Sequence, residues 1–254
     1  MFDTAVIFAA GKASRMNYCS KAMKIVSGKP LITYGLDALK ACGIRNIFLV
    51  RRPDDLEILD IPLVWNCHDV RLEMIIDSQM QGAVMAHCFL PDTISYPIIT
   101  LDCDIILHSL SLAKMLRECI ERFMDAEISA AVAVVDNPVF GSDSCMLVKE
   151  GQVIDYNAKG LPNGVEGGYI FVWKNPIVAE IEEYYDHVRV AEDYGSFFEY
   201  YLSKYQVAAI HIDYLWDVDT PEMIVKTEKY LKETAFFESG LAESKVTHFV
   251  KTVF

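Results

Sequence analysis

What this chain lacks narrows it before anything it contains. It has no Cys-x-x-Cys pair, and its seven cysteines (Cys19, Cys42, Cys67, Cys88, Cys103, Cys119 and Cys145) are odd in number and widely spaced. That pattern excludes a disulfide framework and a structural zinc site, and it suits free thiols in a reducing cytoplasm, the expected location. No apolar run approaches the ~20 residues of a membrane span. The N-terminus shows neither a charged region ahead of a long apolar segment nor a cleavage site, so no secretion signal is expected. Positive charge is scarce: 23 Lys and Arg face 36 Asp and Glu, a net charge of -13 over 254 residues. Neither nucleic acid nor an anionic membrane surface is an expected partner. Internal repeats and low-complexity linkers are absent, and the six histidines show no pairing.

One absence is local. From Thr4 to Leu36 there is no acidic residue, although the chain as a whole is acidic. Five cations, Lys12, Arg15, Lys21, Lys24 and Lys29, lie in that window. It opens with the apolar run Ala5–Phe8, read as a buried strand, and breaks at once into the small-residue loop AAGKAS. Small side chains let backbone N–H groups approach phosphate oxygens, and the cations offset the charge. The loop is therefore expected to hold a polyanion.

Hydrophobic residues make up 52% of the chain, enough for a sizeable core. Short apolar runs alternate with longer periodic segments. Strands are expected at Asn46–Val50, Leu63–Asn66, Glu73–Ile76 and Pro97–Leu101. Helices are expected at Leu31–Ala41, stopped by Gly43, at Gly82–Leu90 and at Ser109–Met124. Beyond residue 124, Ile128–Val135 reads as a central strand and Ser144–Lys149 with Gln152–Tyr156 as a hairpin. Gly168–Trp173 is another strand, Pro176–Tyr185 and Tyr194–Tyr205 are helices, and Val207–Ile212 is the last strand. A loop LWDVDTPE and a helix from Pro221 to about Lys232 follow. Strand–helix alternation predicts an α/β fold, a mostly parallel sheet with helices on both faces, which the hairpin makes mixed. One domain over 1–254 is expected, with about 140–205 as an appended β-rich, aromatic part and 236–254 as a tail that packs on the body or on a partner subunit, which leaves a homo-oligomer open.

Two phosphate motifs fail. A P-loop needs Gly at the position of Val6, and G-x-G-x-x-G needs Gly at Ala13. The carboxylates are more telling. TLDCDIIL sets Asp102 and Asp104 at the C-terminal end of an apolar strand, the edge where open α/β sheets bind ligands. Two carboxylates so close suit a hard divalent cation, and Mg²⁺ is the usual partner of triphosphates. A capping role for the same aspartates is the plainer alternative. DTPE, likewise, is an ordinary helix start with Asp or Thr as cap and Pro in the first turn.

AAGKASRM followed by SKAMKIVSGKPLI resembles the nucleotidyltransferases that make nucleotide-diphospho sugars and alcohols. Their pattern is A-[AG]-G-x-G-[ST]-R-[ML], then Pro-Lys, then G-K-P-[LM]-[IL]. Gly11, Ser14, Arg15, Met16, Lys21 and Lys29-Pro30 match in residue and spacing; Ala13 replaces a Gly and Ser20 the Pro. The resemblance implies a three-layer α/β/α Rossmann-like nucleotidyltransferase fold, with Ala9, Ala10, Gly11, Lys12, Ala13 and Ser14 wrapping the triphosphate. It assigns Arg15 to the β- and γ-phosphates and Lys21 to the α-phosphate and transition state, a role the charge developing on phosphorus would itself call for. It implies Asp104 as a metal ligand, with Asp102 as a ribose contact or neighbour. LWDVDTPE resembles the second metal motif, with Asp219 as ligand and Asp217 as second choice. DSQMQGAVMAH resembles the base-reading segment, with Gln79, Gln81 and Gly82; a plain helix N-terminus explains it nearly as well. EGGYIFVW resembles the strand beside the acceptor pocket, giving Glu166, Gly168 and Tyr169.

The run EEYYDHVRVAEDYGSFFEYYL is rich in aromatics, more in keeping with core than with a pocket. Where it lines the site, aromatic faces and acids such as Glu192 and Asp193 suit a cationic acceptor. The expected reaction is Mg²⁺-dependent transfer of a nucleoside monophosphate, CMP from CTP, to a small phosphorylated or phosphonate acceptor. Phosphocholine, an aminoalkyl phosphonate, an amino-acid phosphate and a sugar 1-phosphate all stay open, as does a context in cell-surface polysaccharide or phosphonate biosynthesis. A glycosyltransferase with an Asp-x-Asp site and a non-catalytic nucleotide sensor are the rival readings.

Overall fold

The computed structural model describes residues 2–11, 20–79, 82–135, 140, 145–157, 164–188 and 194–234. The first half contains β1 (Thr4–Ala9), β2 (Ile25–Val26), β3 (Lys29–Pro30), α1 (Ile32–Ala41), β4 (Asn46–Arg51), α2 (Ile61–Trp65), β5 (Arg71–Ile76), α3 (Ala83–Ala86), β6 (Ile98–Asp102), β7 (Ile105–Leu107) and α4 (Ser109–Arg122). The second contains β8 (Ile128–Val135), β9 (Cys145–Lys149), β10 (Gln152–Asn157), β11 (Val165–Trp173), α5 (Val178–Val188), α6 (Tyr194–Leu202), β12 (Gln206–His211), β13 (Leu215–Asp217) and α7 (Pro221–Glu233).

Among the described residues, nine strands form one sheet in the order β5-β4-β1-β6-β11-β8-β12-β10-β9. The sheet is mixed, as expected. Parallel pairing is concentrated in β5-β4-β1-β6 and recurs between β12 and β8, while β11 runs antiparallel to both β6 and β8. β1 is buried along its whole length because β4 and β6 flank it. Its side chains alternate between two cores. Ala5, Ile7 and Ala9 pack with Leu36 and Leu39 of α1 and Leu112 and Leu116 of α4. Val6 and Phe8 pack on the other face with Val84 of α3, Ile181 of α5 and Phe197 and Phe198 of α6. The three layers follow from that alternation. The aromatic segment is core: Tyr184, Phe197, Phe198 and Tyr201 are buried, and Phe198 meets Phe171 and Tyr156 edge-on at 5.1 and 5.7 Å.

The structure corrects several boundaries. Leu63–Asn66 is not a strand; it closes α2, which has Pro at its first turn and left-handed Asn66 at its end. A short apolar run cannot by itself separate strand from helix. The helix expected over Gly82–Leu90 is one short turn, α3, continued by a 3₁₀ turn over His87–Phe89. Val207–Ile212 is not the last strand, since β13 follows and pairs antiparallel with β7 in a sheet of its own. The residues from 236 to 254 lie outside the described ones.

Behind α3 the imidazole of His87 is buried at 1% exposure, 4.8 Å from the Phe8 ring and 5.8 Å from Trp173, edge-on. Neither ring nitrogen has a hydrogen-bond partner among the described residues. Burial lowers its pKa to about 3, against 6.5 for a free histidine. Between those values the unfolded chain binds a proton that the folded chain refuses, so His87 favours folding above pH 6.5 and loses that contribution as pH falls towards 3. Denaturant unfolding from pH 7 to pH 4 should therefore show a steeper loss of stability in the wild type than in His87→Phe; equal slopes would contradict the assignment.

Candidate active site

The site lies where the C-terminal ends of β1, β4 and β6 meet the β7–β13 pair. The Cys103 N–H donates to the Phe8 carbonyl at 3.1 Å, one step beyond the ladder between β1 and β6, and sets Asp104 just past that edge. β13 lies opposite β7 with Asp217 across from Ile105, and the Val218 N–H donates to the Asp104 carbonyl at 2.9 Å. These few bonds bring two aspartate pairs more than a hundred residues apart to one place. The small sheet is held by its own apolar cluster, in which Trp216, buried with Leu31, Tyr34 and Ile106, donates its indole N–H to the Thr227 hydroxyl at 3.2 Å.

Lys21 enters from the opposite side. The turn at 21–24 is closed by the Lys24 N–H on the Lys21 carbonyl at 3.2 Å, and the Ile32 N–H bonds the Ala22 carbonyl at 3.0 Å. The following hairpin turns at Ser27 (φ 46°) and Gly28 (φ 87°), both left-handed, the two-residue turn that matches strand twist. Gly28 is thus a conformational requirement. The Lys21 ammonium pairs with Asp104 Oδ2 and with Asp219 Oδ1. Burial pulls its pKa down, but Asp104 and Asp219 outweigh that and hold it charged, above the ordinary lysine value.

At the start of α7, Thr220 is the cap, accepting from the Met223 N–H at 3.3 Å, with Pro221 in the first turn. The helix-start reading of DTPE is therefore right, and because threonine does the capping, the Asp219 carboxylate reaches Lys21 instead. Asp102 and Asp217 stand close behind. Burial first, and then the neighbouring carboxylates, raise Asp102 well above the usual range and Asp217 to about 7. Two carboxylates on one ammonium, with Asp102 and Asp217 within electrostatic reach, leave excess negative charge, which a hard divalent cation would relieve. Such a cation takes one or two carboxylates and keeps other positions for substrate oxygens, so the donor set fits Mg²⁺ in kind.

Among the other expected residues, Ala9 ends β1, Ala10 follows half-buried, and Gly11 is exposed. A Cβ added at Gly11 would meet nothing within 4 Å among the described residues, and its φ is not left-handed. Gln79 is exposed, its N–H bonded to Asp77 Oδ1 at 2.9 Å, and Gly82 (φ 100°) precedes α3. Lys29 is turned to structure, paired with Asp37 at 2.5 Å and lying over the Tyr34 ring.

On β11, Ile170 faces Leu101 antiparallel, so the residues before it lie beyond the end of β6, at the edge that carries the aspartates. Glu166 is buried there and accepts from the Tyr169 hydroxyl at 3.2 Å. Gly168 has φ 102°, and a Cβ on Gly167 would fall 2.7 Å from the Ala133 carbonyl; the register of β11 against β8 shifts at this point, and such bulges re-aim side chains. Lys12, Ala13, Ser14, Arg15, Gln81, Glu192 and Asp193 lie outside the described residues.

Sequence reasoning missed two buried arginines at the end of β4, Arg51 and Arg52. The sheet-edge rule that singled out Asp102 applies to them equally.

Fold and site together define a nucleotide-handling α/β enzyme with a lysine–aspartate centre at the sheet edge. The model of the MobA-like NTP transferase domain matches residues 5–190, and the chain belongs to that family: it is a nucleotidyltransferase. No curated protein matches it. Similar solved structures include a Bacillus anthracis protein described as a glucose-1-phosphate thymidylyltransferase in complex with sucrose (TM-score 0.73, 14% identity, 92% of this chain and 96% of that one). Others are a UDP-glucose pyrophosphorylase from Acinetobacter baumannii (0.72, 13%, 100% of both chains) and an inositol-1-phosphate CTP transferase from T. maritima (0.70, 14%, 90% and 97%). At such identities the likeness concerns fold alone. Membership in the family sets aside the glycosyltransferase and sensor readings. No helix among the described residues is long and apolar enough to cross a membrane.

The raised carboxylates give the site a measurable sign. Asp217 binds its proton more tightly in the folded chain, so its contribution to stability is whole below about pH 4 and is lost as pH rises through about 7. A divalent cation at the carboxylates reverses that loss. Adding Mg²⁺ should raise the melting temperature more at pH 8 than at pH 5, by roughly 2–4 °C per kcal/mol of binding; an equal shift at both pH values would contradict it.

Proposed function

We propose that this protein is a Mg²⁺-dependent nucleotidyltransferase that transfers a nucleoside monophosphate, CMP from CTP, to a small phosphorylated or phosphonate acceptor and releases pyrophosphate. The observation that carries the reading is the Lys21 ammonium between Asp104 and Asp219, at the sheet edge. Asp104 and Asp219 would hold the cation, with Asp217 behind them. Mg²⁺ bound there would neutralise triphosphate charge and favour departure of pyrophosphate. Lys21, already charged, turns its ammonium from the aspartates to the oxygens of the α-phosphate and stabilises the negative charge that in-line attack spreads over them. Gly11 and the loop after it, with Lys12, Ala13, Ser14 and Arg15, grip the β- and γ-phosphates. Gln79, Gln81 and Gly82 read the base, and Asp102 faces the ribose. No covalent enzyme intermediate is needed, since the acceptor's own oxygen attacks and positioning supplies much of the rate.

The acceptor side is the β-rich part over about 140–205 of a single domain. The buried Glu166 carboxylate, braced by Tyr169, favours an acceptor that carries an ammonium group. Phosphocholine, an aminoalkyl phosphonate and an amino-acid phosphate answer to that better than a sugar 1-phosphate, and Glu192 and Asp193 belong with Glu166 in this role. The products suit a cytoplasmic step that feeds cell-surface polysaccharide or phosphonate assembly.

Pyrophosphate release, measured with each of the four nucleoside triphosphates against this acceptor panel, should be greatest with CTP and an amine-bearing acceptor. Lys21→Ala should lower kcat by about 10²–10³-fold, and Asp104→Asn should abolish Mg²⁺-dependent release. Release with no nucleotide, or full activity in Lys21→Ala, would contradict the proposal.

A further inference from the structure

After β4 the chain runs Arg51-Arg52-Pro53-Asp54, and both arginines are almost fully buried, at 8% and 7% exposure. Burying a guanidinium is costly unless its partners are well placed, so each needs a reason. Arg51 finds one in its own turn, where Nη1 donates to the Arg52 carbonyl at 2.8 Å and approaches those of Pro53 and Asp55 at 3.4 and 3.5 Å. Arg52 reaches out of that turn. Its Nη1 donates to the Gly11 carbonyl at 2.9 Å, and its Nε lies 3.1 Å from Asp54 Oδ1, an ion pair in charge and distance without hydrogen-bond geometry.

Gly11 stands two residues past the end of β1 and opens the loop assigned to the triphosphate. The parallel ladder between β1 and β4 ends at Ala9 opposite Arg51, so no strand residue lies in register with Gly11. The Arg52 side chain takes the place of that missing rung. The contact fixes the Gly11 carbonyl at the point where the chain leaves β1. The exposed Asp54 holds the fork from the other side. An uncharged donor would satisfy the carbonyl; a guanidinium adds a fixed positive charge behind the loop, which suits a polyanion.

We propose that Arg52, braced by Asp54, is a positioning residue for the triphosphate loop, fixing the direction in which the chain leaves β1 at Gly11. The proposal rests on the reading of that loop as the triphosphate grip. Steady-state pyrophosphate release and calorimetric titration with Mg²⁺ and each nucleoside triphosphate should be compared for wild type, Arg52→Met, Arg52→Lys and Asp54→Ala, alongside melting temperatures. In Arg52→Met the KM for the nucleotide should rise roughly tenfold, the worth of one charge-assisted hydrogen bond, with the acceptor KM unchanged. Arg52→Lys should recover part of the loss. Asp54→Ala, which alters an exposed side chain, should keep the wild-type melting temperature and raise the nucleotide KM about two- to fivefold; it carries the test alone if Arg52→Met does not fold. Nucleotide KM and affinity unchanged in the folded variants would overturn the proposal while leaving the triphosphate reading intact. A wild type that binds none of the four nucleotides would overturn both.

Discussion

A single buried ammonium between two carboxylates is the constraint around which this molecule is arranged. Lys21 comes from the turn before β2, Asp104 from the step between β6 and β7, and Asp219 from the residue before the Thr220 cap of α7. None of these segments makes a strong site alone. Their meeting depends on the β7–β13 pair, whose pairing with Asp217 opposite Ile105 brings the C-terminal motif to the sheet edge. It depends as well on the Trp216 cluster that holds the pair against α1 and α7. Without the lysine, four carboxylates would face one another, and the raised Asp102 and Asp217 record how near the site already stands to that limit.

The same charge balance connects architecture to chemistry. Nucleotidyl transfer needs positive charge that is present before the transition state and aimed at it. In this structure the aspartates keep Lys21 ionised despite burial, and the lysine keeps the aspartates tolerable to one another. On the proposed reading, Asp104 and Asp219 would hold a divalent cation and the Lys21 ammonium would be free to meet the triphosphate. Arg52 extends the arrangement one strand outward, with a buried guanidinium set against the Gly11 carbonyl two residues past β1.

Much of this was legible in the sequence. The acid-free window around the first strand and the spacing from Gly11 through Lys21 to Pro30 pointed to a phosphate grip, and the family match now covers that region. The aspartates after the apolar strand were found by an edge rule, and the structure sets Asp104 and Asp219 on one partner. That the partner is Lys21 was not legible, because a lysine assigned to phosphate gives no sign of which carboxylates hold it beforehand. The β7–β13 pair was missed because three-residue strands carry too little periodicity, and Leu63–Asn66 was misread because a short apolar run fits strand or helix alike. The arginines of β4 escaped notice because two charges after a strand look like an exposed turn; only their burial shows otherwise.

The most direct test of the account is a crystal structure of the protein with Mn²⁺ in place of Mg²⁺ and a non-hydrolysable CTP analogue, with the metal located by its anomalous scattering. The account predicts the metal between Asp104 and Asp219, with the Lys21 ammonium on the α-phosphate. A metal bound away from these two carboxylates, with Lys21 still paired to both, would contradict it.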